Sequence, residues 1–302
     1  MTAASIKRQV SAFIPSDMLD SLHDILIISS GFEKAPLTNK YEVLRGRLNG
    51  KLIIAYSSGK VVYEESEEAR SRIERLLYER YKDEGIVVGS DEAGKGEAIG
   101  PLVIAAVALD PKQAAYLQSL GVADSKVVPE DRMDELAKAI KHKSISHEVL
   151  IIDPPTFNEM FQGVKDVNRN LNDILAWGHS RVLQSVVSKI SDKPVRIVVD
   201  EFDTSKRRVK IRMIEGLLEG RRVYAMPRAE VVPAVAAASI LAKNGCLEWI
   251  HRNLSESQLE QIRRGKYAIA RSQEEFQRVI KVSYVKKLMA SSKGHSEANA
   301  KN

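Results

Sequence analysis

Val87-Val88-Gly89-Ser90-Asp91-Glu92-Ala93-Gly94-Lys95-Gly96-Glu97-Ala98-Ile99-Gly100-Pro101 places two adjacent acids where a short apolar run ends. Ile86-Val87-Val88 is β-branched and bounded by Gly, which reads as buried strand. Neighbouring side chains on a strand point to opposite faces, so Asp91 and Glu92 share a site only if the chain turns there, and Gly94 and Gly96 permit a turn. Taken alone, the pair reads as a charged turn capping a hairpin.

Three further features favour a site. Pro194-Val195-Arg196-Ile197-Val198-Val199-Asp200 again delivers an acid at the end of an apolar strand, the edge where open α/β sheets bind ligands. Asp203 reads as an N-cap for the helix that follows, an explanation that suits Asp200 less well. Arg228-Ala229-Glu230 puts a third acid just ahead of the small-residue run Ala234 to Lys243, either as a first-turn charge or on a helix packed closely and firmly against the sheet. Carboxylates gathered in one place repel one another unless they are protonated or share a cation. Carboxylates and water suit Mg²⁺ or Mn²⁺, while a single cysteine and no His-x-x-x-His spacing argue against zinc. Two such ions can activate a water and stabilise the leaving oxygen of a phosphodiester.

The chain has 302 residues, 44% of them hydrophobic, enough for one large domain or two unequal ones with a real core. Cys246, being alone, excludes an internal disulfide framework and fits a reducing cytoplasm. The 46 basic against 40 acidic residues leave a net charge of +6, compatible with an acidic partner but not diagnostic of one. No signal-peptide pattern or long uncharged span is present, so a cytoplasmic protein without membrane contact is expected.

Lys40 to Leu48 and Leu52 to Tyr56 are strand candidates joined at Asn49-Gly50, a strong hairpin signal, and Val61 to Tyr63 makes a third. From Ser66 the period becomes helical, and Tyr81 to Gly85 reads as a linker. Residues 1–84 are therefore expected to form a small α+β domain. Strands near 86–90, 102–109, 145–152, 195–199 and 222–226, with helices over Asp131–Ala139, Leu171–Ile190 and Ala234–Trp249, predict an α/β domain with a mixed sheet over 85–289. The polar end, 290–302, reads as a disordered tail.

The Asp91 to Pro101 segment, Leu120-Gly121-Val122-Ala123-Asp124-Ser125-Lys126 and the Ala234 to Lys243 run resemble the type 2 ribonuclease H family, and within it ribonuclease HIII. The resemblance covers roughly residues 35 to 289. It implies a ribonuclease H-like α/β domain with a mixed central sheet flanked by helices, preceded by a small domain resembling the TATA-binding protein. It also implies cleavage of the RNA strand of RNA/DNA hybrids with Mg²⁺ or Mn²⁺, leaving a 3′-hydroxyl and a 5′-phosphate. The catalytic and metal-ligating acids fall on Asp91, Glu92, Asp200 and Glu230, with Asp91 the shared ligand. The fourth is diagnostic, because ribonuclease HII usually has Asp there.

Gly94-Lys95-Gly96 departs from both patterns, which are commonly Gly-Arg-Gly in ribonuclease HII and Gly-Thr-Gly in ribonuclease HIII. Its glycines allow close approach to a ribose, and Lys95 adds a phosphate contact as a mobile point charge, the alternative being a flexible turn with a solvated lysine. Ser125 and Lys126 are phosphate-contact candidates, against an Asx turn with a surface lysine. Asn172 and His179 fall seven apart on one helix face and are candidate substrate contacts, with a buried hydrogen-bonded role the alternative for His179. Lys40, Arg45, Arg47, Lys51 and Lys60, with Tyr41, Tyr56 and Tyr63, would let the small domain grip the hybrid, although each tyrosine could equally pack its sheet. Cys246 reads as an inert buried thiol. A monomer is the default, replication or repair partners are open, and incision at single ribonucleotides or a non-catalytic binding module are the competing readings.

Overall fold

Asn49 and Gly50 turn the chain back on itself in the computed structural model, which describes residues 8–167, 170–190, 195–202, 209–263 and 278–283. Both have positive φ, 48° and 77°, as a two-residue hairpin requires. They join β3 (Glu42–Leu48) to β4 (Lys51–Tyr56). With β1 (Gln9–Phe13), β2 (Phe32–Lys34) and β5 (Lys60–Glu64) these make an antiparallel sheet of order β1-β5-β4-β3-β2. β3 buries alternate residues, so one face is committed to the core. Helix α1 (Leu19–Ile27) packs with α2 (Glu67–Tyr81), whose N-cap Ser66 accepts from the Ala69 amide and whose Ile73, Leu77 and Tyr81 are buried at helical spacing.

The second sheet has the order β10-β9-β6-β7-β8, from β6 (Ile86–Ala93), β7 (Leu102–Leu109), β8 (Ser146–Ile152), β9 (Val195–Asp200) and β10 (Val223–Met226). β10, β9 and β6 are parallel to one another, while β6–β7 and β7–β8 are antiparallel, so the sheet is mixed as expected. Helix α3 (Pro111–Ser119), α4 (Glu130–Lys143) and the long α8 (Pro233–Asn253) belong to the core on one face, and α5 (Pro154–Asp166), α6 (Leu171–Ser188) and α7 (Val209–Leu217) to the core on the other. Coverage on both faces is why all eight residues of β7 are buried apolar ones. Among the described residues, no helix is long and apolar enough to cross a membrane.

One sequence expectation changes here. β6 does not turn at the acids: it stays paired with β7 through Ala93↔Val103, and the turn waits for Gly94, at φ 81°. One apolar core runs from Val10 and Tyr63 through α2 and α3 to α8 and joins the two sheets. Tyr63 donates to the Ser119 carbonyl (2.7 Å) and Tyr81 to Gln118 (2.6 Å) across that junction. Tyr63 is therefore core, while Tyr41 is exposed beneath Lys40. The polar end 290–302 and Asp203 lie outside the described residues.

Small residues let α8 lie almost on the sheet. A Cβ on Gly89 of β6 would sit 2.2 Å from the Ala234 backbone carbon. Gly89→Ala is expected to cost about 1–3 kcal/mol by forcing the two elements apart. The check is the urea unfolding midpoint of the variant, and an unchanged midpoint would contradict this packing.

Candidate active site

Because β6 stays extended, its polar residues divide between the two faces of the sheet. Asp91 points to α8, where the Ser239 hydroxyl favours its charged carboxylate. Ser90 and Glu92 point to α6, and both meet His179. Ser90 donates its one proton to the Ala105 carbonyl (2.8 Å), so it accepts from Nδ1 of His179 (2.7 Å). The other ring nitrogen, Nε2, lies 3.2 Å from Glu92 Oε2. The ring is completely buried and stacks on Phe202, with centroids 5.0 Å apart. Of the two readings open for His179, the buried hydrogen-bonded one matches its surroundings, with Ser90 and Glu92 as its partners.

Lys95 closes over the same carboxylate, with Nζ 3.2 Å from Glu92 Oε1. Its side chain remains 36% exposed, so the pair sits at the edge of solvent. Burial would raise Glu92, but the hydrogen bond and charge of His179 and the charge of Lys95 outweigh it and leave the carboxyl below its ordinary value. Asp91 goes the other way. Burial first, then the charge of Glu92, with Asp200 adding to both, pushes its carboxyl up to about 8.

Asp200 reaches this neighbourhood through strand register. Ser90 pairs with Val199, so Asp91 and Asp200 follow at the same level on adjacent parallel strands. The Ala229 amide donates to Asp200 Oδ1 (3.1 Å), tying the end of β9 to the turn that carries Glu230. Arg228 makes that turn with a positive φ of 56°. Glu230 itself lines the neighbouring groove with Asp124, Arg196 and Phe13.

The fold therefore brings Asp91, Glu92 and Asp200 to the ends of two adjacent strands and leaves Glu230 one residue beyond the amide that holds Asp200. Each of the first three is engaged by a different protein group, and among the described residues no three Asp, Glu, His or Cys side chains converge into a ready metal cluster. The donor set still fits a hard divalent cation: it is all carboxylate oxygen, and burial with like charge makes at least one acid unstable as a bare anion.

Ser125 hydrogen-bonds to Ser239 (2.8 Å), and the Lys126 amide donates to Asp124, an Asx turn with Lys126 exposed. Ser125 is thus tied to the serine whose hydroxyl favours the Asp91 carboxylate. Gly96 is exposed at the tip of its loop, and a Cβ there would meet nothing. Asn172 lies partly exposed in the first turn of α6. Sequence reasoning missed Ser90, Ser239 and Phe202. Ser239 was visible as the sole polar residue between Ala234 and Ala242, and Ser90 as a polar residue two before Glu92, hence on its face.

The sheet is mixed and covered by helices on both faces, with acids at the ends of two adjacent parallel strands, so the fold is α/β with its candidate site at those strand ends. The family model described as Ribonuclease HII matches residues 88–293, and the chain belongs to this family of ribonuclease H enzymes. Its relatives include proteins named Ribonuclease HIII. One from Protochlamydia amoebophila is 35% identical over 57% of this chain, a match that covers about half, 54%, of that relative's length. One from Bacillus cereus (strain ATCC 10987 / NRS 248) is 29% identical over 69% of this chain and 72% of its own. Among solved structures, Bst-RNase HIII in complex with Mn²⁺ is 26% identical, with 95% of this chain and 99% of that one covered and a TM-score of 0.57. Aquifex aeolicus RNase H3, 21% identical with a TM-score of 0.50 over 91% of this chain and 99% of that one, shares the fold.

Proposed function

We propose that this protein is an endoribonuclease that hydrolyses the RNA strand of RNA/DNA hybrids, using divalent metal held by Asp91, Glu92, Asp200 and Glu230. The observation that carries this reading is the pair Asp91 and Asp200, level on adjacent parallel strands, with the Asp91 carboxyl destabilised by burial and by its neighbours' charge. Mg²⁺ or Mn²⁺, the latter present in the Bst-RNase HIII complex, would supply water activation and charge neutralisation at phosphorus. The chain's own residues do the rest. His179 and Ser90 hold Glu92 in place from below the sheet surface, and Ser239 orients Asp91. The loop at Gly94, Lys95 and Gly96 approaches the scissile ribose, with Lys95 exchanging Glu92 for a phosphate, and Ser125 and Lys126 hold the phosphate backbone. The products carry 3′-hydroxyl and 5′-phosphate ends.

The division of the chain into a substrate-binding unit, 1–84, and a catalytic unit, 85–289, belongs to the same proposal, as do the likeness of the first to the TATA-binding protein, a working monomer and a cytoplasmic location. Support for the first unit's role is its outward Tyr41 and Lys40 beside a wall continuous with the catalytic core. The shared core makes deletion of 1–84 a poor test, since it would strip apolar surface from α3 and α8.

The experiment is cleavage of a labelled hybrid beside RNA/RNA, DNA/DNA and a one-ribonucleotide duplex. Cutting of the hybrid's RNA strand in preference to the rest supports the proposal. A preference for the single ribonucleotide overturns the substrate assignment, and a folded protein that binds hybrid but cuts nothing is a binding module.

A pH dependence follows from Asp91. Its folded value lies above the unfolded one, so the metal-free protein loses stability as pH rises from about 4 towards 8. A cation must displace that proton. Apparent Mn²⁺ affinity is therefore expected to rise by up to about tenfold per pH unit below about 8 and to level above it. Calorimetric titration with Mn²⁺ at several pH values checks this, and a flat profile would refute it.

A further inference from the structure

Lys281 is completely buried, the only lysine so placed among the described residues. An ammonium group loses its hydration on burial and persists only where other groups replace it. Here Nζ donates to the Gly100 carbonyl (2.6 Å) and the Pro101 carbonyl (3.2 Å), and it lies 5.8 Å from the centroid of the buried Phe157 ring. Burial pushes the amine down to about 8, a sign of how little water reaches it.

Those two carbonyls close the base of the loop that begins at Gly94. A Cβ on Gly94 would lie 2.1 Å from the Pro101 oxygen, so the loop's two ends touch through backbone. The main chain around Lys281 reinforces the hold. Its amide donates to the Ala98 carbonyl (2.7 Å), Gly100 donates to the Val279 carbonyl (2.9 Å), and Ile99 bridges Ile280 in antiparallel fashion. Asn158 of α5 clamps the other side of this short segment, donating to Ile280 and accepting from the Val282 amide, both at 2.9 Å. Beneath it, Ile280 and Val279 pack in a small apolar cluster with Leu254 and Ile99. A segment some 180 residues downstream thus fixes the base of the loop, while its tip at Gly96 stays open.

We infer that Lys281 is a positioning residue for substrate recognition: its ammonium, gripping the Gly100 and Pro101 carbonyls, sets where the Gly94-Lys95-Gly96 loop meets the hybrid. This rests on the function proposed above. It assigns Lys281 no contact with the substrate or the acids, so its effect falls on binding of the hybrid and not on binding of metal.

The test uses full-length Lys281→Met, which keeps length and apolar stem but removes the donors, and Asn158→Ala, which loosens the same segment from the far side. Steady-state cleavage is measured with amide hydrogen exchange over residues 94–101 and Mn²⁺ titration. In both variants the expected result is faster exchange in that loop, a KM for hybrid raised about tenfold, and kcat and Mn²⁺ affinity near wild type. Lys281→Arg, which restores a donor, is expected to recover part of the KM. Wild-type exchange and KM in a folded Lys281→Met overturn the inference, as does a fall in kcat or Mn²⁺ affinity with KM unmoved. If Lys281→Met does not fold, Asn158→Ala decides by the same readings. Should the wild type fail to cut hybrid, the proposed function falls, and slow loop exchange in Lys281→Met would separately remove the loop-holding role.

Discussion

Asp91→Asn is expected to abolish hybrid cleavage while leaving the metal-free protein at least as stable as wild type. The two effects have one cause. Asp91 is held under α8 with Ser239 on its carboxyl and the charges of Glu92 and Asp200 beside it, an arrangement unfavourable to a third anion. Asparagine removes the repulsion and keeps an acceptor for Ser239. It also removes the oxygen charge that a divalent ion requires. A loss of at least about 10³-fold in kcat/KM, about 4 kcal/mol of transition-state stabilisation, is expected together with an unchanged or raised Tm. Activity loss with a lowered Tm would mean that Asp91 is structural.

The second large effect belongs to a residue that the substrate never meets. His179→Leu is expected to weaken Mn²⁺ binding by about 10–100-fold and to cost about 3 kcal/mol of stability. Glu92, with only a tenth of its side chain exposed, would keep Lys95 but lose the buried partner that holds it from below. Ser90 would lose the ring nitrogen it accepts from. His179→Gln, which retains a donor, is expected to recover part of the metal affinity without restoring the ring stacking on Phe202. Calorimetric Mn²⁺ titration and urea unfolding measure the two terms, and a variant that binds Mn²⁺ like wild type would contradict the role given to His179.

Much of the frame was legible in the chain because it depends on local rules. Asn49-Gly50 sets its hairpin through backbone conformation alone, and the β-branched runs at Ile86, Leu102 and Val195 become strands since both faces of the sheet are covered. The alanine-rich run became a close-packed helix because Gly89 admits it. Other elements escaped notice. β1 and β2 are short, with side chains of mixed character, and their pairing depends on partners 12 to 55 residues away. α3 was hidden because its apolar surface serves the junction between the sheets and its amphipathic pattern is weak.

At the site, the acids announced themselves by position and their geometry did not. A turn at Asp91 and Glu92 was the economical reading, yet register with β7 keeps the strand straight and parts the two carboxylates to opposite faces. That single fact explains why His179 serves Glu92 and Ser239 serves Asp91. It is a property of pairing with a distant strand, which no window around the acids contains. The grip of Lys281 on Gly100 is beyond local reading for the same reason.

The most direct test of the carboxylate site is anomalous diffraction from crystals of the full chain soaked in Mn²⁺. The expected result is a manganese peak bonded to Asp91 and to at least one of Glu92, Asp200 and Glu230, lost in Asp91→Asn. A fully active protein whose manganese binds elsewhere, or binds unchanged in that variant, would contradict it.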